Sequence, residues 1–397
     1  MSRNQVIHLR NFFIKKFRSF FKPKSTFKHA SYKGGRLVQK SENFYVDSQE
    51  KLQHVTKLIK AAKVVAMDTE FTRETTYYPI LSIIQIAVKN SEGKKQSFII
   101  DCLCDIDLSE LLAIISDPKI VKILHSCAQD LQIFHQISGQ LPQGVVDTQV
   151  MANFCDFGFS VGYSSLVESL FKKQLDKKQQ RSNWQLRPLS QKQIEYALLD
   201  VFFLEEIYEK FLKILTKKKR LTWLVEEMQN FVNKNLLKSD ESLSKNFAFR
   251  GKSDAQIVKI KNLILWRELW ARKIDVPRQH FVKDEVLERI ALGQEVKQNF
   301  NAEMKAEIKK ILDAEEELFG ETRVEKRDPP MSQKQKTCFA EAKILIAKIS
   351  AEKKFQEQFL ITSSDLKRVV CEKKSLNKIV SGWRYQVFGE ELKKLIS

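Results

Sequence analysis

The run Val64-Val65-Ala66-Met67-Asp68-Thr69-Glu70-Phe71 closes an apolar stretch with two acids two residues apart. Successive side chains alternate along a β-strand, so Asp68 and Glu70 share one face. A carboxylate there is costly unless it has a partner, and a divalent cation such as Mg2+, which prefers oxygen ligands, is an efficient one. A strand end emerging into solvent is the plain alternative. Asp130 follows the apolar run Val121–Ser126 and falls in the opening turn of the next helix. The helix dipole tolerates an anion there, and simple capping explains it as well. Tyr196 and Asp200, at i and i+4, lie together off the core stripe of Ile194, Ala197, Leu198, Val201, Leu204, Tyr208 and Phe211. A phenol over a carboxylate suits a site, whereas that element alone would read as an exposed pair. Four acids from three separated segments, with a tyrosine one turn before the last, are far less probable by accident than each alone.

The elements that must bring them together alternate from residue 41 to about 215. Val64–Phe71, Ile80–Val88, Ser97–Asp101, Val121–Ser126 and Val145–Thr148 have strand composition. Ser48–Ala62, Leu108–Ser116, Asp130–Gln136, Tyr163–Phe171 and Gln191–Leu215 have helical spacing. The first three strands follow through short connections and the later ones alternate with helices, which predicts a mixed α/β sheet. Beyond about 217 the strand signal vanishes. Lys234–Asn246 and Gly320–Gln335, the latter with Pro329-Pro330, divide the remainder into all-helical modules at 247–320 and 332–397.

Sixty-eight Lys+Arg against 49 Asp+Glu give +19, the sign expected of a protein that neutralises phosphates. The first 40 residues hold 11 basic and no acidic residues, so the other 357 carry only +8. That extension fits an early translation start, an RNA-touching arm or a transit peptide, and no secretory signal. No apolar run reaches the roughly 18 residues of a membrane span. With 12 Gly and 8 Pro the chain contains neither a Walker A nor a dinucleotide glycine loop, so no nucleotide cofactor of those kinds is expected. Six cysteines without a C-x-x-C pair indicate reduced thiols and a cytoplasmic setting. Gly158-Phe-Ser-Val-Gly162 spells a serine-hydrolase elbow but has no strand before it. Cys102-x-Cys104 with His125 fits no usual zinc spacing, and buried thiols are the better reading.

Asp68-x-Glu70, Asp130 and Tyr196-x-x-x-Asp200 match the three motifs of the tyrosine-bearing DEDD exonucleases. Thr76-Tyr-Tyr-Pro79, Ile84-Gln-Ile86, Leu124-His125, Val146-Asp-Thr-Gln149, Leu175-Asp-Lys177 and Trp184-Gln-Leu-Arg-Pro-Leu189 resemble bacterial ribonuclease D more closely still. Leu265-Trp-Arg-Glu-Leu-Trp-Ala-Arg272 with Asp275-Val-Pro277 is similar to an HRDC domain, and Ser381-Gly-Trp-Arg384 with Phe388-Gly389 resembles the ending of a second. The likeness covers about 42–397. Lys178 and Asn183 depart from the family's usual residues and put substrate preference, not chemistry, in doubt.

The resemblance implies an α/β, ribonuclease H-like exonuclease domain over 41–220, followed by two small all-α HRDC-like domains at 247–320 and 332–397. It also implies that Asp68, Glu70, Asp130 and Asp200 hold two divalent ions, Mg2+ or Mn2+, and that Tyr196 orients or helps deprotonate the attacking water. The reaction would be 3′→5′ release of 5′-mononucleotides from RNA, with precursor tRNA 3′ ends as substrates and a monomeric protein. Lys259, Lys261, Arg267, Arg272 and Lys273 are candidate phosphate contacts, or simply a solvated helix face. Trp266 and Trp270 read as core. Deleting 247–397 is expected to weaken RNA binding and spare cleavage of short oligonucleotides. A DNA repair exonuclease and a catalytically inactive RNA-binding scaffold are the competing functions.

Overall fold

The computed structural model describes residues 32–33, 36–37, 44–236, 243, 247, 249, 251–314, 331–372 and 375–397. Residues 1–31, most of the basic extension, lie outside it, as do 315–330 with Pro329-Pro330.

A six-stranded sheet carries the first half of the chain. Its strands are β1 (Tyr45–Val46), β2 (Val64–Thr72), β3 (Ile80–Lys89), β4 (Lys95–Asp101), β5 (Val121–Leu124) and β6 (Val145–Asp147), in the order β1-β4-β3-β2-β5-β6. β3 and β4 pair antiparallel from Ile83↔Asp101 to Lys89↔Lys95. Their turn is set by Asn90, whose Oδ1 accepts the Glu92 and Lys94 amides. β5 pairs parallel with both β2 and β6, and β1 parallel with β4. The mixed sheet matches the sequence expectation; β1 was too short to carry a pattern.

Helices cover the sheet, so β3 is buried without a break from Leu81 to Val88 and shows no alternation. The helices are α1 (Gln49–Ala62), α2 (Ser109–Ser116), α3 (Ala128–Ser138), α4 (Thr148–Phe154), α5 (Tyr163–Phe171), α6 (Gln191–Phe202), α7 (Leu204–Lys217) and α8 (Leu221–Leu236). Ser48 caps α1, and a full capping box at Ser190 and Gln193 starts α6. The expected single helix Gln191–Leu215 is broken at Phe203, although its core stripe runs through the break: Ala197, Leu198, Val201, Leu204, Tyr208 and Phe211 are all buried. Lys122 is 1% exposed on β5, with Nζ donating to the Ile114, Asp117 and Ile120 carbonyls at 3.2, 2.6 and 2.8 Å. A charge so enclosed is tolerable only with its donors satisfied. Gly144 sits against this knot at φ +63°, where a Cβ would lie 2.4 Å from the Ile120 carbonyl.

The chain divides into two compact units. The first takes in the described residues up to Glu70, Leu81–Leu236 and Met331–Ser397; the second takes in Phe71–Ile80 and those between 237 and 330. The segment from Met331 therefore shares a body with the sheet. Its helices include α13 (Gln333–Lys353), α14 (Glu357–Leu360), α15 (Ser363–Cys371), α16 (Leu376–Ile379), α17 (Gly382–Arg384) and α18 (Glu390–Ile396). Phe154 of α4 meets Phe355, Phe359 and Trp383 edge-on at 5.9, 5.1 and 5.1 Å, and Trp223 of α8 stacks on Trp383 at 5.8 Å. Arg384 forks onto Glu227 at 2.5 and 2.9 Å. Gly382, at φ +56°, leaves room that a Cβ would dispute with the Glu226 carboxylate.

In the second unit α9 (Asp254–Lys273) is buried on several sides, packed by α10 (Arg278–Phe281), α11 (Asp284–Ala291) and α12 (Ala302–Asp313). Trp266 and Trp270 are core residues, both indole N–H groups donating to Glu307. Arg267 is not a free phosphate contact: it is 4% exposed and donates to the Val282 carbonyl and Asp284. Lys273 is engaged by Glu303 and lies over the Trp270 ring.

Candidate active site

Asp68 and Glu70 end the central part of β2, and Asp200 lies in the last turn of α6. One carboxylate oxygen of each comes within 4.8 Å of the others. Asp130, in the first turn of α3, is outside that triple and buried, and accepts a short hydrogen bond from the Thr69 hydroxyl. Its charge is nevertheless the strongest of the neighbouring charges raising the Asp68 pKa. Among the described residues, none of the ion pairs involves any of these four acids.

Uncompensated negative charge marks the cluster. Burial first, then the charges of Asp130, Asp200 and Glu70, push Asp68 well above the usual carboxylate range. Burial and the charges of Asp200 and Asp130 push Glu70 up to about 9. Burial lifts Asp200 to about 7 against the opposing Tyr196 hydroxyl, and lifts Asp130 to about 6 against the Thr69 bond. A pocket of hard oxygen donors that repel one another is the donor set a divalent cation relieves. The residues present fit such an ion.

Several supporting contacts carry no sequence period. The Asp147 carboxylate accepts the Ser126, Cys127 and Gln149 amides at 3.0, 2.9 and 2.7 Å, fixing the turn that launches α3 and capping α4 at once. Its only advance signal was the Val146-Asp-Thr-Gln149 text. Tyr196 is half-buried, with its pKa raised by burial and by Asp200 and Glu70, and its ring centroid is 6.0 Å from that of Trp184. Trp184 is held in turn by Arg187, which donates to the Trp184 carbonyl at 2.7 Å and forks onto Asp101 at 2.6 Å twice. Asp101 also accepts the Tyr45 hydroxyl at 2.6 Å. Cys102 and Cys104 are half-buried, not buried, and none of the six cysteines forms a disulfide. Gly158–Gly162 forms a turn leading into α5.

A 3′-5′ exonuclease family profile matches residues 43–216, the segment holding all five residues. Ribonuclease D of Gluconacetobacter diazotrophicus is 32% identical over 361 residues, 87% of this chain and 91% of that protein. The chain belongs to the ribonuclease D family. Ribonuclease D of Bartonella henselae is 29% identical over 85% of this chain and 86% of its own. The crystal structure of Escherichia coli RNase D superposes with a TM-score of 0.72 at 27% identity, covering 89% of this chain and 98% of that one. As a member of this family the protein is a nuclease of 3′→5′ polarity, and the family's exonuclease chemistry depends on divalent metal. Among the described residues no helix is long and apolar enough to cross a membrane.

Proposed function

We propose that the protein is a cytoplasmic 3′→5′ exoribonuclease that trims the 3′ ends of structured RNA, precursor tRNA among them, releasing 5′-mononucleotides. The observation that supports this most directly is the convergence of Asp68, Glu70 and Asp200 within 4.8 Å in a chain of this family. Escherichia coli RNase D is an exoribonuclease involved in structured RNA processing, and the present chain spans nearly all of that protein's length. Asp68, Glu70, Asp130 and Asp200 would hold two Mg2+ or Mn2+ ions, which supply charge stabilisation for the attacking and departing oxygens of a phosphodiester. Tyr196, one turn before Asp200, orients the attacking water through its hydroxyl. Thr69 tethers Asp130, and with it the start of α3, to β2, and the Arg187–Asp101 fork holds Trp184 beside Tyr196. The helical modules at 247–320 and 332–397 are read as HRDC-like. The decisive experiment offers 3′-hydroxyl and 3′-phosphate RNA and DNA oligomers with Mg2+ or EDTA. Metal-dependent mononucleotide release from 3′-hydroxyl RNA is expected; equal rates on DNA would move the assignment to a repair exonuclease, and inactivity to a scaffold.

A further inference from the structure

The break between α6 and α7 is occupied by a side chain from elsewhere in the sequence. The Tyr163 hydroxyl donates to the Leu199 carbonyl at 2.8 Å and accepts the Phe203 amide at 3.1 Å. In an uninterrupted α-helix the amide of residue 203 bonds the carbonyl of residue 199, so the phenol stands inside that ladder step. Insertion of a polar group into the i→i−4 ladder is a recognised cause of sharp kinks. The turn opened this way, 199–203, contains Asp200. The apolar stripe does not change at the break: buried Val201 and Leu204 continue it on either side.

We infer that Tyr163 is a positioning residue for Asp200: its hydroxyl, spliced into the helix, holds the turn open and aims the Asp200 carboxylate at Asp68 and Glu70. This rests on the reading of those three acids as the cation site. Without the hydroxyl, the bridge from the Leu199 carbonyl to the Phe203 amide is lost, the ordinary i→i−4 bond can close across the gap, and Asp200 moves with the turn.

The test is Tyr163→Phe, which keeps the ring and removes only the inserted atom. Mn2+ binding to the full-length protein is measured by electron paramagnetic resonance, and turnover by mononucleotide release at saturating Mn2+. The variant should bind Mn2+ about tenfold more weakly, the scale of one lost hydrogen bond, and lose kcat with little change in KM. Amide exchange at 200–203 should change while α4 and α5 keep wild-type protection. Thr56→Val, which deletes a buried hydroxyl bonded to the Gln53 carbonyl and Glu110, should lower Tm without altering Mn2+ affinity. Wild-type Mn2+ affinity and kcat in Tyr163→Phe would overturn the inference. A wild-type protein that binds no Mn2+ would instead overturn the site reading beneath it, so the two failures are distinguishable.

Discussion

Thr69 donates its hydroxyl to Asp130, so the residue lying between two of the clustered acids is itself the tether of a third segment. Strand alternation puts Thr69 on the face opposite Asp68 and Glu70. β2 therefore addresses the cluster from one side and secures α3 from the other. Thr69→Val keeps the shape and removes the bond; it should cost about 1 kcal/mol of stability and reduce turnover about tenfold. Thermal unfolding and a mononucleotide-release assay on one preparation check both.

Asp68→Ala and Asp200→Ala should abolish turnover, by roughly 1000-fold or more, if these side chains carry the cations that stabilise transition-state charge. Far-ultraviolet circular dichroism should be unchanged. Wild-type rates in either variant would remove that residue from the site.

Tyr196→Phe isolates the water-orienting hydroxyl. A fall of about 10- to 100-fold in kcat at unchanged Mn2+ affinity is expected for a lost positioning contact. An undiminished rate would remove Tyr196 alone.

The clustered acids make the metal-free protein sensitive to base. Burial first of all pushes Asp130, Asp200 and Glu70 up to about 6, 7 and 9 in the fold, above ordinary carboxylates. The folded state thus binds more protons than the unfolded state across that window, and stability falls as pH rises through it. Melting of EDTA-treated protein should show a declining Tm from pH 5 to pH 9, with Mn2+ restoring it most at the alkaline end. A flat profile would contradict the burial and crowding that raise these carboxyls.

Asp101 behaves oppositely. Burial works against its charge, yet Arg187, the Tyr45 hydroxyl and the Leu103 amide together hold it down to about 2. Its contribution is present above the ordinary carboxylate pKa and is lost as pH falls toward 2. Arg187→Leu strands a carboxylate that is 3% exposed and should cost roughly 3 kcal/mol at neutral pH. The deficit relative to wild type should shrink in acid, which paired denaturant titrations at pH 7 and pH 3 would show.

The acids were legible because each obeys a short-range rule: two on alternate strand positions, one in a helix's first turn, one a helical turn past a tyrosine. The sheet was legible because its strands are rich in Val and Ile and separated by helical periods. What was not legible depends on partners distant in sequence. The α6–α7 break is invisible in a stripe that continues from Ala197 to Phe211, because its cause is a hydroxyl at residue 163. Arg267 reads as a solvated cation until the Val282 carbonyl and Asp284 close around it. Trp383 marks an HRDC-like ending in the sequence, while its packing on Phe154 is a long-range fact with no local signal.

That last contact has a bearing on biosynthesis. The aromatic cluster under the sheet's helices is assembled from Phe154 and Trp223 early in the chain and from Phe355, Phe359 and Trp383 late in it. A nascent polypeptide emerging from the ribosome carries all four acids long before it carries the rings that close this cluster. Termination between residues 236 and 355 leaves Phe154 and Trp223 without any of these rings, an exposed apolar face of the kind that favours aggregation. Because 331–397 shares one body with the sheet, deleting 247–397 as a block is expected to destabilise that body as well as to weaken RNA binding, which revises the expectation that such a deletion spares cleavage.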